Sequence, residues 1–207
     1  MQVTWHSRRV RSKTKNAEPR LAPPGAGLPK PELLIARLLM EWQRRTGSRE
    51  SFSRRFQQER EAIRQLVHSC DEAAATKRVL IRRPPGLEDS SRYWSVWMTL
   101  DHLRIVNTQI AGVIRSLARG VVPPGVASTA AVKPGAELTA DVVSAYEKAC
   151  DLVETTVAAA TDLKTGVRFP HPWFGPLDAL GWYAMAGTHM GLHRGQIERI
   201  LQGLPGK

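Results

Sequence analysis

Apolar side chains recur along this chain at helical spacing, and no stretch alternates apolar with polar residues for long enough to predict a strand. The run KPELLIARLLMEWQRR carries Pro31 at a first-turn position and Leu34, Leu38 and Trp42 every four residues, with Gly47 to end it. It predicts a short leading helix. From Ser48 a second run, with Ser48 or Ser51 as cap, sets Phe52, Phe56, Ile63, Leu66 and Val67 on one side and stops at Pro84 and Pro85. A third runs from the Ser90 and Ser91 cap region to Gly120 with Val106, Ile110, Val113 and Leu117 as its stripe. The segment VVPPGVASTAAVKPGAE then breaks regular structure. A fourth helix, capped by Thr139, carries Val143, Tyr146, Cys150, Val153 and Val157. A Pro-rich loop, RFPHPWFGPLD, leads into the last helix, from near Pro176 to Gly203. The expected fold is all-α: a four-helix bundle with an extra short N-terminal helix.

Length and composition narrow the picture. At 207 residues the chain suits one domain with a sizeable core. No run reaches the roughly 20 apolar residues of a membrane span, and the N-terminus lacks an apolar signal region. A cytoplasmic protein is expected. Cys70 and Cys150 are isolated and have no CxxC spacing, so they read as small buried side chains in a reducing compartment. The net charge of +11 is uneven: residues 1–30 hold seven Lys or Arg against one acid, Glu18. With few large apolar residues, that segment reads as a basic, disordered arm ahead of a bundle domain over 31–207. Its charge suits contact with nucleic acid or another polyanion, or simple solvation.

Histidine placement adds chemistry. At about 100° per residue, His189 and His193 share a helical stripe with Trp182, Met185, Gln196 and Ile200. His102 lies on the inward stripe of an earlier helix with Met98, Ile105, Val106 and Gln109. If the two helices face each other, three imidazoles converge. Neutral imidazole is a favoured ligand of Zn, Ni, Cu or Fe, and three protein ligands leave coordination positions open for water or substrate. An i, i+4 histidine pair is equally compatible with two hydrogen-bonded core groups, so the pattern by itself leaves both readings open.

The segments WSVWMTLDHLRIVN and HMGLHRGQIERIL together resemble the DinB/YfiT-like superfamily, in which a His-Leu on the second bundle helix joins an HxxxH pair in an HRGQI context on the fourth. The resemblance covers about residues 48–203. It implies a four-helix bundle holding one divalent ion, Zn, Ni or similar, on His102, His189 and His193, and often a homodimer. It also implies a family whose characterised members include thiol-dependent transferases and a maleylpyruvate isomerase.

Other residues are placed by the same spacing. Gln196, one turn beyond His193, is positioned to hydrogen-bond a metal-bound water or a neighbouring backbone group. Trp97, Trp182 and Met185 are expected to border the pocket. His171, on the Pro-rich loop with Trp173 and Phe174, reads as a pocket-mouth residue or a packed loop anchor. Asp101 should point away from the ion to a surface or interhelix ion pair. Gly187, Gly191 and Gly195 read as sites of close helix approach. Nothing in ERI at 198–200 matches the Glu-x-x-His of di-iron bundles. Two function classes follow. One is a metal-dependent hydrolase or thiol S-transferase acting on a small-molecule substrate with a thiol cosubstrate. The other is a non-catalytic, metal-stabilised binding or stress-response module whose arm contacts polyanions.

Overall fold

The computed structural model describes residues 18–204. Six helices dominate: α1 (Lys30–Thr46), α2 (Arg49–His68), α3 (Glu72–Thr76), α4 (Val96–Ala118), α5 (Asp141–Ala159) and α6 (Ala179–Gln202). α2, α4, α5 and α6 form the bundle. α4 lies between α5 and α6, and α2 covers the other side of α6. Phe56, Ile63, Leu100, Leu103, Ile110, Ile114, Tyr146, Val153 and Ile197 fill the interior with essentially no exposure. The remaining side, between α2 and α5, closes through charge. Arg60, on α2, reaches Glu147 at 2.5 Å, Asp151 at 2.7 Å and Glu154 at 2.9 Å on successive turns of α5.

Capping chemistry fixes where the helices begin. Ser48 and Ser51 cap α2 reciprocally, a closed capping box. Ser95, and not Ser90 or Ser91, caps α4, its Oγ accepting from the Met98 N–H at 3.1 Å. Asp178 caps α6 through the Gly181 N–H at 2.8 Å, so the helix opens at Ala179, three residues beyond Pro176. Thr139 does not cap α5. The capping position is Ala140, which has no side-chain acceptor, and the Thr139 hydroxyl donates to Asp141 instead.

The all-helical expectation misses two short ribbons. β1 (Val79–Leu80) pairs antiparallel with β2 (Tyr93–Trp94), and β3 (Phe169–His171) with β4 (Gly175–Leu177). Strands of two or three residues are too short to write a period-two pattern into the sequence. The second helical run also stops earlier than Pro84. It ends at His68, and Asp71 caps the five-residue α3 before β1.

Of the expected arm, residues 1–17 lie outside the described residues. Within residues 18–29, three groups reach the body. The Ala22 N–H donates to Asp89 at 2.8 Å, the Gly25 N–H to Glu88 at 3.3 Å, and Glu18 pairs with Arg78 at 3.0 Å. No helix among the described residues is long and apolar enough to cross a membrane.

Candidate metal centre

α4 and α6 face each other, and His102 meets His189 and His193 between them. The Nε2 atom of His189 lies 3.1 Å from Nε2 of His102 and 3.1 Å from Nε2 of His193. The outer nitrogens decide the tautomers. His102 Nδ1 is 2.6 Å from the carbonyl of Val132, which can only accept, so the ring donates there and Nε2 keeps its lone pair. His193 Nδ1 is 2.7 Å from Gln196 Oε1. The Gln196 amide is oriented by Nε2, which donates to the Ser91 carbonyl at 2.7 Å, so its oxygen faces the imidazole and accepts. Two lone pairs therefore point at a common centre beside His189.

Protein atoms alone do not satisfy this arrangement. One proton on His189 Nε2 serves one neighbour and leaves the other lone pair facing nitrogen. His189 Nδ1 is buried with no hydrogen-bond partner. A divalent cation at the focus meets all three Nε2 lone pairs at once. Zn–N bonds of about 2.0–2.1 Å place ligand nitrogens roughly 2.9–3.4 Å apart, depending on coordination number, and the observed spacing lies inside that range. The three residues fit a metal, with outer partners that raise ligand basicity and fix ring orientation.

Burial keeps the imidazoles neutral, the state a ligand needs. It pushes His102 from 6.5 down to about 4, and His189 and His193 well below the ordinary value. His171 is likewise pushed down to about 4 by burial. An unfolded chain therefore binds more protons than the folded one between pH 6.5 and about 4. Stability is present above that window and is lost as pH falls through it. In chelator, the thermal midpoint is expected to fall steadily from pH 6.5 to pH 4, and to fall less steeply in His171→Phe. A flat profile would contradict the burial.

The three histidines form part of the wall of a cavity of about 360 Å³. Val106, Ile110, Phe169, Trp182 and Met185 make it largely apolar, and Pro123 to Thr129 of the α4–α5 linker close one side. Trp94 stacks on His193 at 6.2 Å with 12° between the planes, and tilts over His102 at 5.2 Å. The Lys133 ammonium sits 5.5 Å from the Trp94 ring and 2.7 Å from Glu88. Burial works to raise the Glu88 carboxyl, but Lys133, with Thr129 and the Gly25 N–H, holds it below the usual carboxylate range.

Residues 55–197 match the model of the DinB superfamily. The chain belongs to the DinB superfamily. No curated protein matches it. Among solved structures it is similar to TT2238, described as a four-helix bundle protein, with a TM-score of 0.54 and 24% sequence identity. That match covers 72% of this chain and 97% of TT2238, and at this identity it bears on the fold alone.

In this DinB chain the residues singled out by sequence divide clearly. His102, His189 and His193 converge, and His171, Trp182 and Met185 line the cavity. His171 accepts the Trp173 N–H at Nδ1, 3.1 Å, and stacks on Phe174 at 4.7 Å, so it is also a loop anchor. Gln196 bonds His193 and the Ser91 backbone. Trp97 is buried in the core and does not line the cavity. Trp94, three residues earlier, packs against His102 and His193, and the aromatic cavity wall comes from Phe169, Trp173 and Trp182. Asp101 points away from the histidines but is buried, not on the surface. It accepts from Arg104 at 2.8 Å and from the Gly135 N–H at 2.9 Å, tying the linker to α4. Gly187 and Gly191 make room for α2: a Cβ at 191 would stand 2.7 Å from Glu59 Oε1, and one at 187 would touch Arg55 and Phe56.

Sequence spacing gave no notice of Trp94, the Val132 carbonyl or the Glu88–Lys133 pair. With Ser95 as the cap, Trp94 falls just outside the helix, where a side chain can fold back over the first turns; that signal was available in the sequence. The network also makes Gln196→Leu informative. The substitution keeps volume but leaves His193 Nδ1 and the Ser91 carbonyl without partners, and metal affinity is expected to fall about 10- to 100-fold. Competition against a chromogenic chelator measures it. Unchanged affinity would remove Gln196 from the site.

Proposed function

We propose that this chain is a mononuclear metal-dependent enzyme in which His102, His189 and His193 hold one divalent ion and the adjoining cavity receives a small molecule. The observation that carries the reading is the convergence of three Nε2 atoms, with two outer nitrogens committed to Val132 and Gln196, on the wall of a cavity of about 360 Å³. When bound, the ion supplies Lewis acidity at the positions the protein leaves open, lowering the pKa of a water or thiol there. Hydrolysis or thiol-dependent group transfer on a small substrate follows as the reaction class, and two isolated cysteines, Cys70 and Cys150, without CxxC spacing, fit a reducing, cytoplasmic setting.

The chain's own residues hold, orient and exclude water. Phe169, Trp182, Met185 and Val106 present apolar surface to the ligand. His171 accepts the Trp173 N–H at Nδ1, so its neutral ring carries the proton on Nε2 and offers a donor to a ligand oxygen or sulfur. Lys133 spends its protons on Glu88, Ser90 and Ser91, so it contributes positive potential and no free hydrogen bond.

One observation favours the second reading, a metal-stabilised binding module. Glu88 is the single carboxylate among the described residues lining the cavity, and its pairing with Lys133 withholds it from general-base work. Cobalt-loaded protein separates the two readings. For the enzyme, azide or a small thiol changes the visible spectrum, and a panel of hydrolytic and thiol-transfer substrates turns over only until chelator is added. An unresponsive spectrum and no turnover would leave the binding module.

A further inference from the structure

α1 lies outside residues 55–197 and is therefore an addition of this chain to the matched family region. It is docked with its amphipathic face reversed. Its polar side meets the body: Glu32 grips the Arg83 guanidinium at 2.7 and 3.0 Å and accepts the Gly86 N–H, and Arg37 donates to the Trp173 carbonyl at 2.6 Å. Gln43 accepts from the Thr188 hydroxyl at 3.0 Å, and Met40 is the buried apolar contact of this helix. The apolar side faces outward, with Leu34 and Ile35 59% exposed, Leu38 and Trp42 63%, and Leu39 56%.

A continuous stripe of five large apolar residues is unusual on a monomer's surface and marks an interaction site. We propose that it is the surface through which two copies of this chain pair, α1 against α1 in antiparallel order. Two observations select a second copy. First, Ile35, Leu38 and Trp42 follow 3-4 spacing, with Leu34 and Leu39 beside them. A two-fold axis between positions 38 and 39 sets Ile35 against the partner's Trp42 and Leu38 against the partner's Leu39, so the stripe is complementary to itself, as an isologous interface requires. Second, the stripe offers on the order of 600 Å² per copy, and a pair removes roughly 1,200 Å², the lower end of stable interfaces.

Analytical ultracentrifugation of the full chain tests the pairing. The natural protein is expected to sediment as a dimer at low micromolar concentration. Leu38→Glu, which buries a charge at the axis, is expected to weaken it at least about 100-fold with helical content retained. Where Leu38→Glu fails to fold, Leu38→Cys with a short bismaleimide decides: a covalent dimer not formed by the natural chain supports the pairing, and no such dimer overturns it. A monomeric natural protein overturns it. So does a folded Leu38→Glu variant that remains dimeric, and so does a natural protein that stays monomeric yet pellets with phosphatidylglycerol vesicles.

Discussion

Replacing His193 by alanine is expected to strip the protein of its metal while leaving the bundle folded. The ring supplies one of the three convergent Nε2 atoms and is the one whose outer nitrogen is fixed through Gln196 to the Ser91 backbone. Its loss leaves His102 and His189, on two different helices, with nothing to complete the set. Metal content should drop from about one ion per chain to a small fraction, and the thermal stabilisation produced by added metal should vanish with it, since only binding to the native state raises the midpoint. His171→Ala is the matched control. His171 lines the same cavity, but its Nδ1 is used by the Trp173 N–H, and the variant should keep its ion. Elemental analysis of both proteins, with circular dichroism to establish folding, reads the result. Full metal content in His193→Ala, or in a His102/His189/His193 triple alanine variant, would refute the site.

The largest loss of stability is expected from Phe56→Ala. The ring is completely buried between α2 and α6, 6.3 Å from the Tyr183 ring. Removing a buried Phe side chain costs about 3–5 kcal/mol when the surroundings cannot collapse into the space. α2 and α6 already lie against each other along this stretch: an added Cβ at Gly187 would be in ordinary contact with Arg55 and with the Phe56 nitrogen at 3.5 Å. For a chain of this size the midpoint should fall by about 10 °C or more. Metal stoichiometry should be retained, because the histidines belong to α4 and α6. Calorimetry measures the shift, and a loss below about 1 kcal/mol would mean that α2 is not held by this contact.

These two tests fall on the parts of the molecule that were readable in the sequence. The long bundle helices write a period of 3.6 into their apolar positions, and their buried residues, Ile110, Leu117, Tyr146, Cys150 and Val153, are those the stripes select. The direction of the histidines was legible for the same reason, since position on a helix fixes the face; that the three imidazoles are at one height depends on how α4 and α6 pack, and a metal on them was implied by the family resemblance alone. What stayed hidden depends on tertiary contact. Val132 acts through its carbonyl, which every residue carries, and Glu88 and Lys133 are 45 positions apart. α1 shows the opposite error. Its pattern predicts a helix correctly, and the usual assumption that the apolar side faces the core then assigns Leu34, Leu38 and Trp42 to the wrong side, because four polar contacts outweigh it here.

The segment between α4 and α5 does two things at once: residues from Pro123 to Thr129 shape the cavity wall, and a few positions later the Val132 carbonyl accepts the hydrogen bond of His102 Nδ1–H while the Gly135 N–H donates to Asp101. Wholesale exchange of this loop for one from another DinB protein would thus alter the ligand space and the electron-donating power of an imidazole together. Variation can be uncoupled only by position. A library randomised from Pro123 to Thr129, with Val132 to Gly135 kept, varies the shape of the chamber while leaving His102 as it is. Diversity confined to that stretch gives this protein a route to new ligands that does not pass through its histidines.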